Sequence, residues 1–286
     1  MRRVLFSLLA ALLALPVQAA DPRLVAAGGT ATEIVYALGA EKGLVGVDTT
    51  SLYPREAMKL PNIGYVRALS AEGILALTPT LVIAAAEAGP PPILGQITAA
   101  GVPILPLADG FSEAAVLTRI GQIGAALGKM TEATKLQESV RRDLATARAA
   151  VAPLEDKPKV LFVLSAQRGL VAAGDDTAAA AMIDLAGGRN AVSGYTGYKP
   201  VTPEAAFAAA PDIILTGSHV IDALGGVDVL RNHPDLIGTP AAREGRIIVR
   251  DAMFMLGFGP RLGAAVLDLA QALHPGVTLP TLAAKP

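Results

Sequence analysis

Short apolar runs bounded by glycine, proline or polar clusters recur along the chain and alternate with longer segments whose apolar positions fall at helical spacing. "LVAAGG" from Leu24 and "LVAAGDD" from Leu170 each read as a buried strand. Each is followed by a threonine suited to cap a helix (Thr30, Thr177) and by a helical pattern closed with glycine. A second pair of blocks follows in the same order: "LSAEGILALTPTLVIAAA" from Leu69 and "VTPEAAFAAAPDIILTGS" from Val201. Ser70 and Thr202 stand where N-caps belong, Glu72 and Glu204 fall in the first turn, and Pro79 and Pro211 break the chain before another buried strand. Two blocks shared in order mark an internal duplication. The second copy is the shorter, lacking a counterpart of "GLVGVDTTSLYP".

Strands alternating with helices predict parallel sheets covered on both faces, so each copy reads as an α/β, Rossmann-like lobe. In such sheets ligands sit beyond the carboxyl ends of the strands, which here means the loops "AAGGT", "AAGDDT", "AAEAGPP" and "TGSHV". Between the copies, one helix is expected from near Ser112 to near Gly128 and a second, capped by Thr131, up to Pro153. The expected organisation is an N-terminal lobe over 21–111, a rigid helical connector over 112–153 and a C-terminal lobe over 154–286, with the ligand cleft between lobes. A rigid connector permits only a small hinge movement.

The first 20 residues interrupt this pattern: Arg2 and Arg3, an apolar stretch from Val4 to Leu15, then a proline and small residues. That is the layout of a secretory signal peptide, with cleavage before Ala20 or Asp21, and it is too short to span a membrane. The chain has no cysteine, which excludes a lipidated N-terminal cysteine, a disulfide and thiolate metal ligation. An exported, freely diffusing periplasmic monomer is the expectation. With 24 basic and 25 acidic residues there is no net field to draw nucleic acid or an anionic membrane, so partners are recognised by local sites. His219, His233 and His274 are too scattered for a histidine-built zinc centre.

The local chemistry centres on "NIGYVRALSAEGILAL" with "GYKPVTPEAAFAAAPDIIL" and "FMLGFGPRLGAAV". With the leader, two related lobes and a helical connector, these segments resemble the periplasmic substrate-binding proteins with a helical backbone that serve ABC importers of cobalamin, ferric siderophores and haem. Within that class they are most similar to the haem-binding members. The resemblance implies that Tyr65 coordinates haem iron through its phenolate and that Arg67, two residues on, steadies it. Ferric iron is a hard cation that prefers a deprotonated oxygen, and guanidinium is a permanent positive charge. It also implies that Glu72 and Glu204, one per lobe, meet arginines of the membrane permease, and that haem is cargo for a non-enzymatic carrier. Some members add a histidine from the second lobe and hold two stacked haems; no histidine occurs around "SAQRGLVAAGDDT", which speaks against that mode.

Each of these residues also has a plainer reading. Tyrosine is often half-buried with its hydroxyl on a backbone group. Tyr198, nearly the repeat mate of Tyr65, either stacks on the macrocycle or packs on its own lobe, as does Tyr195. Lys199 and Arg168 are candidates for the haem propionates or solvated surface cations. His219 lies at the ligand end of the second lobe, as a distal contact or a loop histidine bonded to backbone. Glu72 and Glu204 complement a helix dipole without any partner. The runner-up function within the class is a siderophore or cobalamin carrier, against which stands the lack of tryptophan. An exported hydrolase built on Ser165, Asp175, Asp176 and His219 lacks the G-x-S-x-G elbow.

Overall fold

The computed structural model describes residues 22–166 and 169–282; the leader expected over 1–20 and Arg168 lie outside the described residues. The first part of the chain forms β1 (Leu24–Ala27), α1 (Gly29–Ala37), β2 (Leu44–Val47), β3 (Gly64–Tyr65), β4 (Ala68–Leu69), α2 (Ala71–Leu75), β5 (Leu81–Ala84), α3 (Pro91–Ala99) and β6 (Ile104–Pro106). Strands β2, β1, β5 and β6 lie in that order in one wholly parallel sheet. The pleat explains their unbroken apolar runs: Leu24 and Ala26 face one hydrophobic cluster while Val25 and Ala27 face another.

Two antiparallel-packed helices follow, α4 (Glu113–Ala126) and α5 (Met130–Val151). Ser112 caps α4 as expected, its Oγ accepting from Ala115 N. Thr131 does not cap α5: the helix begins at Met130, with Lys129 in the cap position, so Thr131 lies inside the first turn. At 22 residues α5 is about 33 Å long, the width of a lobe.

The second part carries β7 (Lys159–Ala166), β8 (Gly169–Ala173), α6 (Ala178–Leu185), β9 (Arg189–Asn190), β10 (Tyr198–Pro200), α7 (Pro203–Ala209), β11 (Ile213–Gly217), α8 (Ser218–Leu224), α9 (Val227–Arg231), α10 (Pro240–Glu244), β12 (Ile247–Arg250), α11 (Ala252–Leu256) and α12 (Leu262–Leu273). Its sheet runs β10-β8-β7-β11-β12, with β9 also on β7. This lobe departs from the all-parallel expectation. β7 pairs in parallel with β9 and β11, but β8 returns antiparallel to β7, and β10 is antiparallel to β8. Only two residues separate β7 from β8, and so short a connection can only make a hairpin. The likeness of "LVAAGG" to "LVAAGDD" therefore joins β1 to β8, whereas the strand in the position of β1 is β7. The second pair of blocks does match in place, since β5, which follows α2, pairs with β1 as β11, which follows α7, pairs with β7. Ser70 and Thr202 cap those helices through Gly73 N and Ala205 N.

One hydrophobic cluster runs unbroken through both lobes, from Ile34 and Ile83 through Ile120 and Leu144 of the connector to Phe162, Leu215 and Val266. The outer face of each lobe has its own smaller cluster. α12 lies against α5 at Gly263, where a Cβ would stand 2.7 Å from the Asp143 backbone carbon. The connector is thus part of the core, and prying the lobes apart would open apolar surface to water. Polar contacts reinforce the joint. Buried Arg119 of α4 donates to Ala108 O and Gly110 O in the first lobe and to Phe258 O in the second. Thr30, expected as a cap, lies inside α1 and donates instead to Gly257 O, 2.5 Å away.

Candidate functional site

Tyr65 sits on β3, which turns back through Val66 and Arg67 into β4. The hairpin is anchored from several sides. Val66 and Leu69 are buried in the first lobe's outer cluster, Gly89 N donates to Val66 O and Leu69 N donates to Gly89 O. Gly64 N donates to Asn62 Oδ1 and Thr49 N to Gly64 O, at 2.7 and 2.9 Å. The alternation of the turn sends Val66 inward and leaves Tyr65 and Arg67 outward. Tyr65 is 43% exposed, and Arg67 Nη1 donates to its Oη at 2.7 Å. An aromatic ring held in the open, with a guanidinium on its oxygen, has a lone pair left for a ligand.

The second lobe answers with Tyr198 on β10, 42% exposed. Surrounding protein desolvates its hydroxyl and raises its pKa above the ordinary 10.0, while the Arg67 guanidinium works in the opposite direction. Arg67 is thus hydrogen-bonded to Tyr65, and its charge is felt at Tyr198 of the other lobe. Lys199 follows on the same strand, so its side chain leaves the opposite face. Its ammonium rests 4.8 Å from the centre of the Tyr195 ring. Tyr195 is committed to its own lobe: its hydroxyl donates to Ala172 O at 3.3 Å, and its ring lies so close over Gly174 that a Cβ there would stand 2.4 Å away. Burial and the Asp175 charge both raise its pKa. His219 is exposed on α8 and folded back over Gly217 at the end of β11. Ser165 continues β7 into the hairpin, paired with Leu170, rather than turning into a helix. Glu72 and Glu204 are exposed in the first turns of α2 and α7. A groove of ≈ 570 Å³ beside Leu24, Lys42, Thr80 and Lys129 opens at the other end of β1 and β5, remote from the hairpin.

One group at the ligand end was not singled out in the sequence. Asp48, just beyond β2, is buried at 2% exposure. Its Oδ1 accepts from Gly28 N and Ser51 Oγ, and its Oδ2 from Thr50 N and Thr50 Oγ1, at 2.7–3.0 Å. Thr50 Oγ1 in turn accepts from Gly29 N. The amino end of α1 has no side-chain cap of its own, so this carboxylate fills the anion position that a helix N-terminus offers. The "AAGGT" loop is therefore self-satisfied and takes no anionic ligand there. "DTTS", an aspartate followed by hydroxyl residues at two and three positions on, was the available signal.

Known proteins share this fold. The periplasmic heme-binding protein RhuT from Roseiflexus sp. RS-1, in apo form, superposes with a TM-score of 0.86 at 43% identity, over 89% of this chain and 98% of that one. The periplasmic heme-binding protein BhuT, solved in complex with two hemes, gives 0.84 at 42% identity over the same shares. The vitamin B12-binding protein of Yersinia pestis is 32% identical over 188 residues, 64% of this chain and 64% of its own length. A family model described as periplasmic binding protein matches residues 24–253, which takes in both sheets, the connector and the tyrosine hairpin. The chain belongs to that periplasmic binding protein family.

Proposed function

We propose that this protein captures ferric haem between its lobes and delivers it to an inner-membrane ABC permease. The observation that carries the reading is the 2.7 Å hydrogen bond from Arg67 to the hydroxyl of an exposed, rigidly anchored Tyr65. Iron bound to that oxygen makes it a phenolate, and the guanidinium already in place balances the charge. Tyr198 supplies a flat apolar surface from the opposite lobe, and Lys199 is the cation offered to a propionate once its ammonium leaves the Tyr195 ring. The heme-binding proteins at 42–43% identity support the choice of ligand. Because one of them carries two hemes, the missing histidine does not fix the stoichiometry here, and the endpoint of a haem titration does.

Glu72 and Glu204 occupy matched places in the two lobes and serve as the docking charges for the permease. Single surface pairs contribute about 0–1 kcal/mol, so they set orientation more than affinity. The leader over 1–20 and the absence of cysteine support a soluble, unlipidated periplasmic carrier. No catalytic step belongs to this reading.

Mixing the purified protein with ferric haem tests it. A shifted Soret band with a high-spin tyrosinate spectrum is expected, and Tyr65→Ala removes that spectrum. No spectral change at stoichiometric haem defeats the reading. It would turn attention to the runner-up, a cobalamin carrier, for which the similarity to the vitamin B12-binding protein speaks; titration with cobalamin tests that alternative.

A further inference from the structure

The "GFGPR" turn ahead of α12 belongs to the second lobe, yet its arginine is engaged with the first. Arg261 Nε donates to Glu33 Oε2 of α1 at 3.0 Å, and both side chains are nearly buried, 13% and 11% exposed. Its guanidinium carbon lies 3.7 Å from the centre of the Tyr53 ring and 4.9 Å from that of Phe254. Tyr53 ends the loop that Asp48 organises, and Thr49 of that loop holds Gly64, the residue before Tyr65. A path thus runs from the second lobe by the Arg261–Tyr53 stacking, along the chain through 48–52, and across the Thr49–Gly64 hydrogen bond to the tyrosine hairpin.

We propose that Arg261 is a positioning residue for Tyr65, coupling the relative placement of the lobes to the geometry of the tyrosine. With the lobes in register, guanidinium stacking presses Tyr53 and its loop into place, and the hairpin is held. When a docked permease displaces the lobes, Arg261 leaves Tyr53, the Thr49 to Gly64 bond is no longer braced, and the iron ligand loosens. The inference rests on Tyr65 as the iron ligand.

Tyr53→Leu tests it while leaving the Glu33 and Arg261 pair whole. The paired change Glu33→Gln with Arg261→Gln removes the guanidinium without stranding a buried charge. Each is expected to raise the rate of haem loss to excess apomyoglobin about tenfold, to perturb the tyrosinate bands, and to speed exchange of the Thr49 amide in the haem-free protein. The triple variant should be no faster than the larger of the two, because both cut one chain of contacts. Thr30→Val removes an inter-lobe hydrogen bond that does not touch Tyr53, and should leave the haem-loss rate and the spectrum unchanged. Parental haem-loss rates and parental Thr49 exchange in Tyr53→Leu overturn the proposal, as does an equal effect from Thr30→Val. If the parent chain fails to bind haem, the function is refuted separately, and Thr49 exchange still reports whether the coupling exists.

Discussion

Arg67→Ala removes the donor on Tyr65 Oη, so its effect on haem retention tests how far the guanidinium supports the proposed iron ligand. In the open protein the bond is solvent-exposed, with Tyr65 at 43% exposure, and exposed charge pairs contribute about 0.2–1 kcal/mol. Once a haem covers the hairpin, water leaves, and hydrogen bonds to charged groups approach about 1.5–3 kcal/mol. A cleft-edge site lies between these limits, at about 1.4 kcal/mol, which is a tenfold change in equilibrium constant. Since the hairpin is preformed, the loss should fall on dissociation, and Arg67→Ala is expected to release haem about tenfold faster to apomyoglobin, followed at the Soret band. Arg67→Lys, which keeps the charge but not the planar fork, should recover about half of that effect in free energy. A rate for Arg67→Ala within about twofold of the parent refutes the assignment of the guanidinium as support for the iron ligand.

Arg119→Met leaves three carbonyls of two lobes without their donor; at about 1–3 kcal/mol each, partly relieved by water, urea unfolding should show about 4 kcal/mol lost. The raised pKa of Tyr198 means that the stability it contributes is whole below about pH 10 and is lost as pH rises through its shifted value. In haem-free protein, Tyr198→Phe should therefore delete a late step from the alkaline titration of tyrosine absorbance. Arg67→Ala should move that step higher, because the guanidinium opposes the desolvation. Glu72→Lys with Glu204→Lys should leave haem spectra unchanged and abolish stimulation of the permease-bound ATPase, whereas intact stimulation excludes these residues as docking charges.

The scaffold was legible because parallel strands buried on both faces write themselves as apolar runs, and because Ser70, Ser112, Thr177 and Thr202 cap helices in fact as well as in pattern. Local signals failed where distant contacts decide. Thr30 has the residue type of a cap, but a carboxylate twenty residues away occupies that place and frees the hydroxyl for Gly257. β8 reads as a strand like β1, yet nothing in its own residues states that it runs antiparallel; the brevity of the preceding connection does. Tyr195 and Tyr198, three residues apart, are indistinguishable by type. Only the close approach at Gly174 and the hydroxyl's bond to Ala172 separate the ring packed on its own lobe from the exposed one at Tyr198.

The two exposed tyrosines, one in each lobe, stand on strands of unlike kind. Tyr65 lies on β3 and Tyr198 on β10, and both strands pair antiparallel, outside the parallel strands that the two lobes share. The two are not copies of each other: one is a free-standing hairpin beside the sheet, the other an extension of its edge. Residues repeated in register, such as Glu72 and Glu204, must point alike from the pair of lobes and therefore suit a partner that spans both. A ligand held between the lobes meets them from opposite sides and needs unlike groups from each, an axial donor with its cation from one and a flat ring from the other. Under the proposed reading those groups are Tyr65 and Arg67 on the hairpin and Tyr198 on the edge strand, in segments of unlike topology.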